Sequence, residues 1–278
     1  MSIPRVNGFA VRALLGPLGL AISMLLAACG STPSAPPPPR PAAAEPPSQP
    51  EPADPDRRAQ VRLELAGAYF ARGQNDTALE EVRRALQVKP DLGDAYNLRG
   101  LIYASMGDHR LAEESFLRAL QINAADADAM HNHGWFLCQQ RRFNEAQARF
   151  NQALAVPQYR AAVRTLLAQG VCHARAGNLA EAERALSRAY EIDPSSPTTA
   201  VNLAEVLLRR GEFERARFYM RRVNSQPEQV SAQTLWLAAR IEHKLGNQSG
   251  VQELGRELRS RFPQAPETLA LERRQFDE

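Results

Sequence analysis

Alanine recurs along this chain at Ala78, Ala112, Ala146, Ala182 and Ala216, at intervals of 34, 34, 36 and 34 residues. Four positions after each stands a larger apolar residue: Val82, Phe116, Phe150, Leu186 and Met220. Three further on comes Ala85, Ala119, Ala153, Ala189 or Val223. Steps of four and three put all these positions on one face of an α-helix. Twelve positions upstream of each alanine lies another small residue: Ala66, Gly100, Gly134, Gly170 and Ala204. The pattern predicts two helices per period, with small residues where they cross closely and a larger one filling the gap to the next unit. Gly73, Gly107, Gly177, Gly211 and Gly246 mark the ends of the first helices, because glycine takes the left-handed C-cap without a Cβ penalty. Pro90, Pro194 and Pro263 each follow such a glycine by 17 residues and close the second helices.

This phasing places repeats at 59–92, 93–126, 127–160, 163–196 and 197–230, with a degenerate sixth at 232–265 and a C-terminal extension at 266–278. The sixth keeps Gly246 and Pro263 but carries Gly255 where a large apolar residue belongs, which suits a terminal cap. Helix–turn–helix units of about 34 residues resemble the tetratricopeptide repeat. The expected fold is therefore all-α, a right-handed superhelical solenoid whose usual work is binding proteins rather than catalysis.

The N-terminus indicates where that solenoid works. Arg5 and Arg12 precede an apolar run from Ala13 to Ala28, short for a membrane span and fitting a signal peptide over 1–28. The run ends in Leu26-Ala27-Ala28-Cys29, then Gly30 and Ser31. This resembles the bacterial lipobox, which implies a covalent lipid on Cys29 as the first mature residue. Gly30 is not the aspartate that retains such lipoproteins at the inner membrane, so the expected site is the periplasmic face of the outer membrane. Residues 29–58, rich in proline and almost without apolar side chains beyond alanine, read as a solvated tether.

Composition narrows the function. The formal charge is +3 and its 34 basic and 31 acidic residues are interspersed, so no basic face implies nucleic acid. The paired arginines Arg83-Arg84, Arg209-Arg210, Arg221-Arg222 and Arg273-Arg274 read as solvated helix faces. His131 and His133 are two apart and cannot share a metal as an i, i+4 pair would. His109, His173 and His243 are isolated, and Asp126 and Asp128 sit between repeats, where a cap or turn role is expected. With no phosphate loop, nucleophile elbow or zinc spacing, the sequence predicts no enzyme, no metal or other cofactor, and no small-molecule substrate.

Two cysteines remain after lipidation. Cys138 and Cys172 fall on the first helices of adjacent repeats. Two buried thiols are one reading; in an oxidising periplasm a bridge between neighbouring parallel helices is the favoured one. The block Asn132-His133-Gly134-Trp135-Phe136-Leu137-Cys138, with Phe150-Asn151-Gln152-Ala153-Leu154, Pro157-Gln158-Tyr159 and Gly170-Val171-Cys172, resembles the type IV pilus biogenesis lipoproteins, the pilotins of the pilus secretin. Ala124, where proline is usual, departs from that pattern. The resemblance implies a non-enzymatic outer-membrane lipoprotein that helps secretin subunits localise and multimerise. The competing reading is a general periplasmic adaptor, anchored at the outer membrane, for peptidoglycan or envelope-assembly enzymes.

In either case the first helices supply the inner face. Counting positions along them selects Leu63, Phe70, Asn97, Leu101, Asn132, Trp135, Leu167, Val171, Val201, Asn202 and Glu205 as a partner-binding groove. Apolar groups there offer burial and the amides offer hydrogen bonds. Phe70 and Leu101 are the expected exposed apolar anchors, and the N-terminal repeats the expected main contributors.

Overall fold

The computed structural model describes residues 54–276; the expected signal peptide, Cys29 and the expected tether up to residue 53 lie outside them. Thirteen helices and no strand occur among the described residues, as the period predicts. They run α1 Pro55–Ala71, α2 Asn75–Val88, α3 Gly93–Met106, α4 His109–Ile122, α5 Ala127–Gln139, α6 Phe143–Ala155 and α7 Ala162–Arg175. Then follow α8 Leu179–Ile192, α9 Pro197–Arg209, α10 Phe213–Asn224, α11 Ala232–Lys244, α12 Gln248–Arg261 and α13 Pro266–Glu272. None of these helices is long and apolar enough to cross a membrane.

Each unit closes because its first helix lacks bulk at the crossing point. A Cβ added to Gly100 would stand 2.7 Å from the Phe116 ring, and one on Gly134 would stand 2.9 Å from Phe150. On Gly170 it would lie 2.5 Å from Leu186 Cγ and 3.2 Å from the Ala182 carbonyl. Phe116, Phe150 and Leu186 are fully buried, so the larger residue of each second helix occupies the space its glycine leaves empty.

Successive first helices touch one another, α1 with α3, α3 with α5, α5 with α7, α7 with α9 and α9 with α11, whereas successive second helices do not. That asymmetry bends the array, lining its inner face with first helices. The core is correspondingly a series of local clusters. Leu63 to Ile102 fill the first, Ala112 to Cys172 the second and Ala182 to Ile241 the long C-terminal one.

Gly73, Gly107, Gly177, Gly211 and Gly246 all take positive φ. The third unit has no glycine there, and Arg141 takes the left-handed conformation instead at φ 62°. The structure moves the tether boundary. Helix α1 begins at Pro55, capped by the Asp54 carboxylate, so residues 55–58 are helical rather than linker; proline at the first turn needs no N–H partner. The sixth unit is a complete pair, and residues 266–276 cap it. Leu271 of α13 fills the space above Gly255, 2.9 Å from where its Cβ would be. Phe276 stacks on His243 at 4.2 Å and on Trp236 at 5.3 Å.

Gly170→Ala is expected to lower unfolding stability by about 1–3 kcal/mol through overpacking against Leu186, read as a shifted urea midpoint with unchanged helicity by circular dichroism. An unshifted midpoint would mean the crossing is looser than this contact requires.

Candidate partner-binding groove

The inner face is built by amides and apolar side chains held at fixed positions on rigid helices. Asn132 Nδ2 on α5 donates to Asn97 Oδ1 on α3 at 3.1 Å. The pair keeps one amide NH₂ and one amide oxygen without a partner among the described residues, an acceptor and a donor set that matches a peptide backbone. Leu101 and Trp135 pack as half-buried neighbours on the central cluster. The Arg175 guanidinium lies over the Trp135 ring at 5.0 Å, a contact that fixes the indole. Leu167 on α7 and Val201 on α9 are half-buried against the C-terminal cluster, beside half-buried Val171, Asn202 and Glu205. Glu205 accepts from Arg240 at 3.4 Å, and the same guanidinium donates to the Phe276 carbonyl at 3.3 Å.

Three expected groove residues change standing. Leu63 is only 8% exposed and packs with Ala66, Ala78 and Val82. It belongs to the core and is unavailable to a partner. Phe70 and Leu101 are half-buried rather than exposed, because each leans on the cluster beneath its helix. Repeat one therefore contributes Phe70 alone of its expected residues, and the accessible floor is concentrated on α3 to α11.

Two features were missed. Trp236 and Arg240 occupy the fifth and ninth positions of α11, and Arg175, Arg209 and Lys244 recur at the thirteenth position of three successive repeats. Carrying the groove register into the sixth unit finds the first, and extending it one turn along each first helix finds the second. Arg175 lies over Trp135, and Arg209 donates to the Ala174 carbonyl at 3.1 Å. Burial, then the nearby charges of Asp126 and Asp128, raise the Asp94 carboxyl above its ordinary value.

The central block is a packed aromatic and sulfur layer. Cys138 on α5 and Cys172 on α7 are joined as a disulfide, their Cα atoms 5.9 Å apart. His133 stacks on Phe116 at 5.6 Å and on Phe136 at 6.3 Å, and neither ring nitrogen has a hydrogen-bond partner among the described residues. Burial lowers its pKa to about 4; Arg149 and Arg142 push the same way, against Glu113 and Glu145. His131, also lowered to about 4 by burial and Arg164 against Asp128, instead shares Thr165 Oγ1 with the Tyr159 hydroxyl, each at 2.9 Å. That network accounts for Tyr159, which no repeat position explains. Asp126 caps α5, and Asp128 pairs with Arg164 of the next repeat.

Models of the tetratricopeptide repeat match residues 67–107, 93–125, 133–197 and 173–241. The type IV pilus assembly protein PilF of Pseudomonas aeruginosa is 25% identical over 208 residues, which span 75% of this chain and 82% of that protein. The crystal structure of PilW, a widely conserved type IV pilus biogenesis factor, is 30% identical with a TM-score of 0.71, covering 77% of this chain and 97% of that one. YrrB, a TPR protein with an unusual peptide-binding site, matches at 16% identity and a TM-score of 0.56 over 69% of this chain and 97% of its own, a likeness of fold alone.

Two outcomes follow from the central layer. Reducing the bridge, whose ends are 34 residues apart, is expected to lower unfolding free energy by roughly 3–4 kcal/mol in the chain-entropy model. Equal urea midpoints with and without reductant would contradict it. A histidine with a depressed native pKa is neutral when folded and takes up a proton on unfolding. Stability contributed this way is full above pH 6.5 and falls as pH drops toward 4. His133→Phe, stacked in the same slot, should flatten part of that decline; an identical pH slope would mean His133 does not report it.

Proposed function

The chain belongs to the tetratricopeptide-repeat family of type IV pilus biogenesis proteins that includes PilW and PilF, and on that premise we propose that it serves as a pilotin. In this reading it is a non-catalytic lipoprotein, anchored through Cys29 at the periplasmic face of the outer membrane, that binds pilus secretin subunits and promotes their localisation and multimerisation. The observation that carries the reading is the continuous inner face from Asn97 to Glu205. Its half-buried apolar floor and the Asn97–Asn132 pair suit one extended or helical segment of a partner protein. Preorganisation favours binding, since floor residues already immobilised by packing lose little further entropy. The bridge between Cys138 and Cys172 holds α5 and α7, the two helices at the middle of that floor.

Charges at Phe70 and Leu101 would be driven into the core, so truncation is the cleaner probe. Leu101→Ala with Leu167→Ala is expected to weaken secretin capture from detergent-solubilised envelope at least tenfold, the scale of losing two interface anchors, with helicity retained. Cys29→Ser should move the protein to the soluble fraction when membranes are washed with high salt, and lower secretin multimers in parallel. Undiminished capture by the groove variant would place binding elsewhere on the solenoid. Recovery of peptidoglycan enzymes in place of secretin would support the adaptor reading instead.

A further inference from the structure

The two ends of the solenoid are not alike. At the C-terminal end α13 and Phe276 cover the last pair. At the N-terminal end nothing among the described residues covers the face of α1 opposite its packing against α2 and α3. The third residue of the first helix is fully buried by the preceding unit as Ala95, Ala129, Thr165 and Thr199. Its counterpart in α1, Val61, is 55% exposed, and Leu65, one turn on, is 37% exposed. At 100° per residue, Arg57, Arg58, Val61, Arg62, Leu65 and Arg72 share one arc of the helix, and every one is exposed. Of the acids, Glu64 stands at its margin, and Asp54 at its N-terminal end is engaged as the α1 cap. Arg62 is paired with Glu81, whereas Arg57, Arg58 and Arg72 have no ion pair among the described residues. Along the arc, Arg57, Arg58, Val61 and Arg62 line with Val88 an open cleft of about 510 Å³.

We infer that this face of α1 seats on an anionic phospholipid surface. Apolar side chains ringed by arginines match the boundary between acyl chains and phosphates, where the long arginine stems lie along the apolar layer and the guanidinium forks bind phosphate. A second copy fits worse. Head-to-tail stacking is closed off by α13, and head-to-head packing would oppose arginines to arginines. The exposed arc is about 22 Å long from Arg57 to Arg72 at 1.5 Å per residue, enough for several headgroups. The inference rests on the proposed lipid anchor only for which membrane lies within reach; the contact itself needs no anchor.

The test uses the mature chain with Cys29→Ser, so that no acyl chain contributes. It is expected to co-sediment with phosphatidylglycerol-containing vesicles, to do so far less with pure phosphatidylcholine vesicles, and to be released by salt. Arg57→Gln, Arg58→Gln and Arg72→Gln together should lower the partition coefficient roughly a hundredfold, at about fivefold per arginine. Circular dichroism should be unchanged, and the lipidated triple variant should still capture secretin. Equal sedimentation with both vesicle types, or undiminished binding by the triple variant, overturns the inference. Loss of secretin capture in the triple variant with vesicle binding intact would also overturn it, because the face would then serve a protein. Failure of the groove variants alone bears on the pilotin reading and leaves this one standing.

Discussion

Everything in this molecule depends on how closely two helices of one unit can approach. The approach is set by pairs: Gly100 with Phe116, Gly134 with Phe150 and Gly170 with Leu186, each leaving no room for a Cβ. Ala66 and Ala204 hold the same place in the first and fifth units, both fully buried. Because the tight side recurs on the first helices, these come into contact from unit to unit while the second helices diverge. A curved wall results, and the groove is a consequence of that curvature rather than a separately built site. Its residues were free to vary in chemistry once the crossing points were fixed.

The repeat was legible because its determinants are local and periodic. Helix α3 starts at Gly93, α5 at Ala127, α9 at Pro197 and α11 at Ala232, the positions the phasing assigns to repeats two, three, five and six. Legibility fails where the chain departs from repetition. Arg141 adopts a backbone conformation that a reading based on glycine cannot assign. Helix α1 extends back to Pro55 because Asp54 supplies a cap, although the composition there continues that of the proline-rich segment. The closing role of Leu271 and Phe276 could not be read from spacing, since α13 has no counterpart in the units before it.

For the groove, register identifies which helix face is inward but not how deep a side chain sits. Leu63 and Leu167 were both assigned to the inner face, yet the first is core and the second half-buried. The difference is packing beneath the helix, a long-range property. The block from Asn132 to Cys138 was recognisable as distinctive, and the structure gives physical content to each part. The amide faces the groove, Gly134 admits Phe150, the histidine and phenylalanine stack, and the thiol bridges to α7.

A linear array stabilised by neighbours alone opens from its ends, since terminal units have one interface and internal units two. The covalent link between α5 and α7 interrupts that process in the middle of the array. Fraying that begins at α1 or α13 meets a segment whose two helices cannot separate by melting one interface. The bridge thus leaves a covalently closed centre with an end on either side from which opening can start.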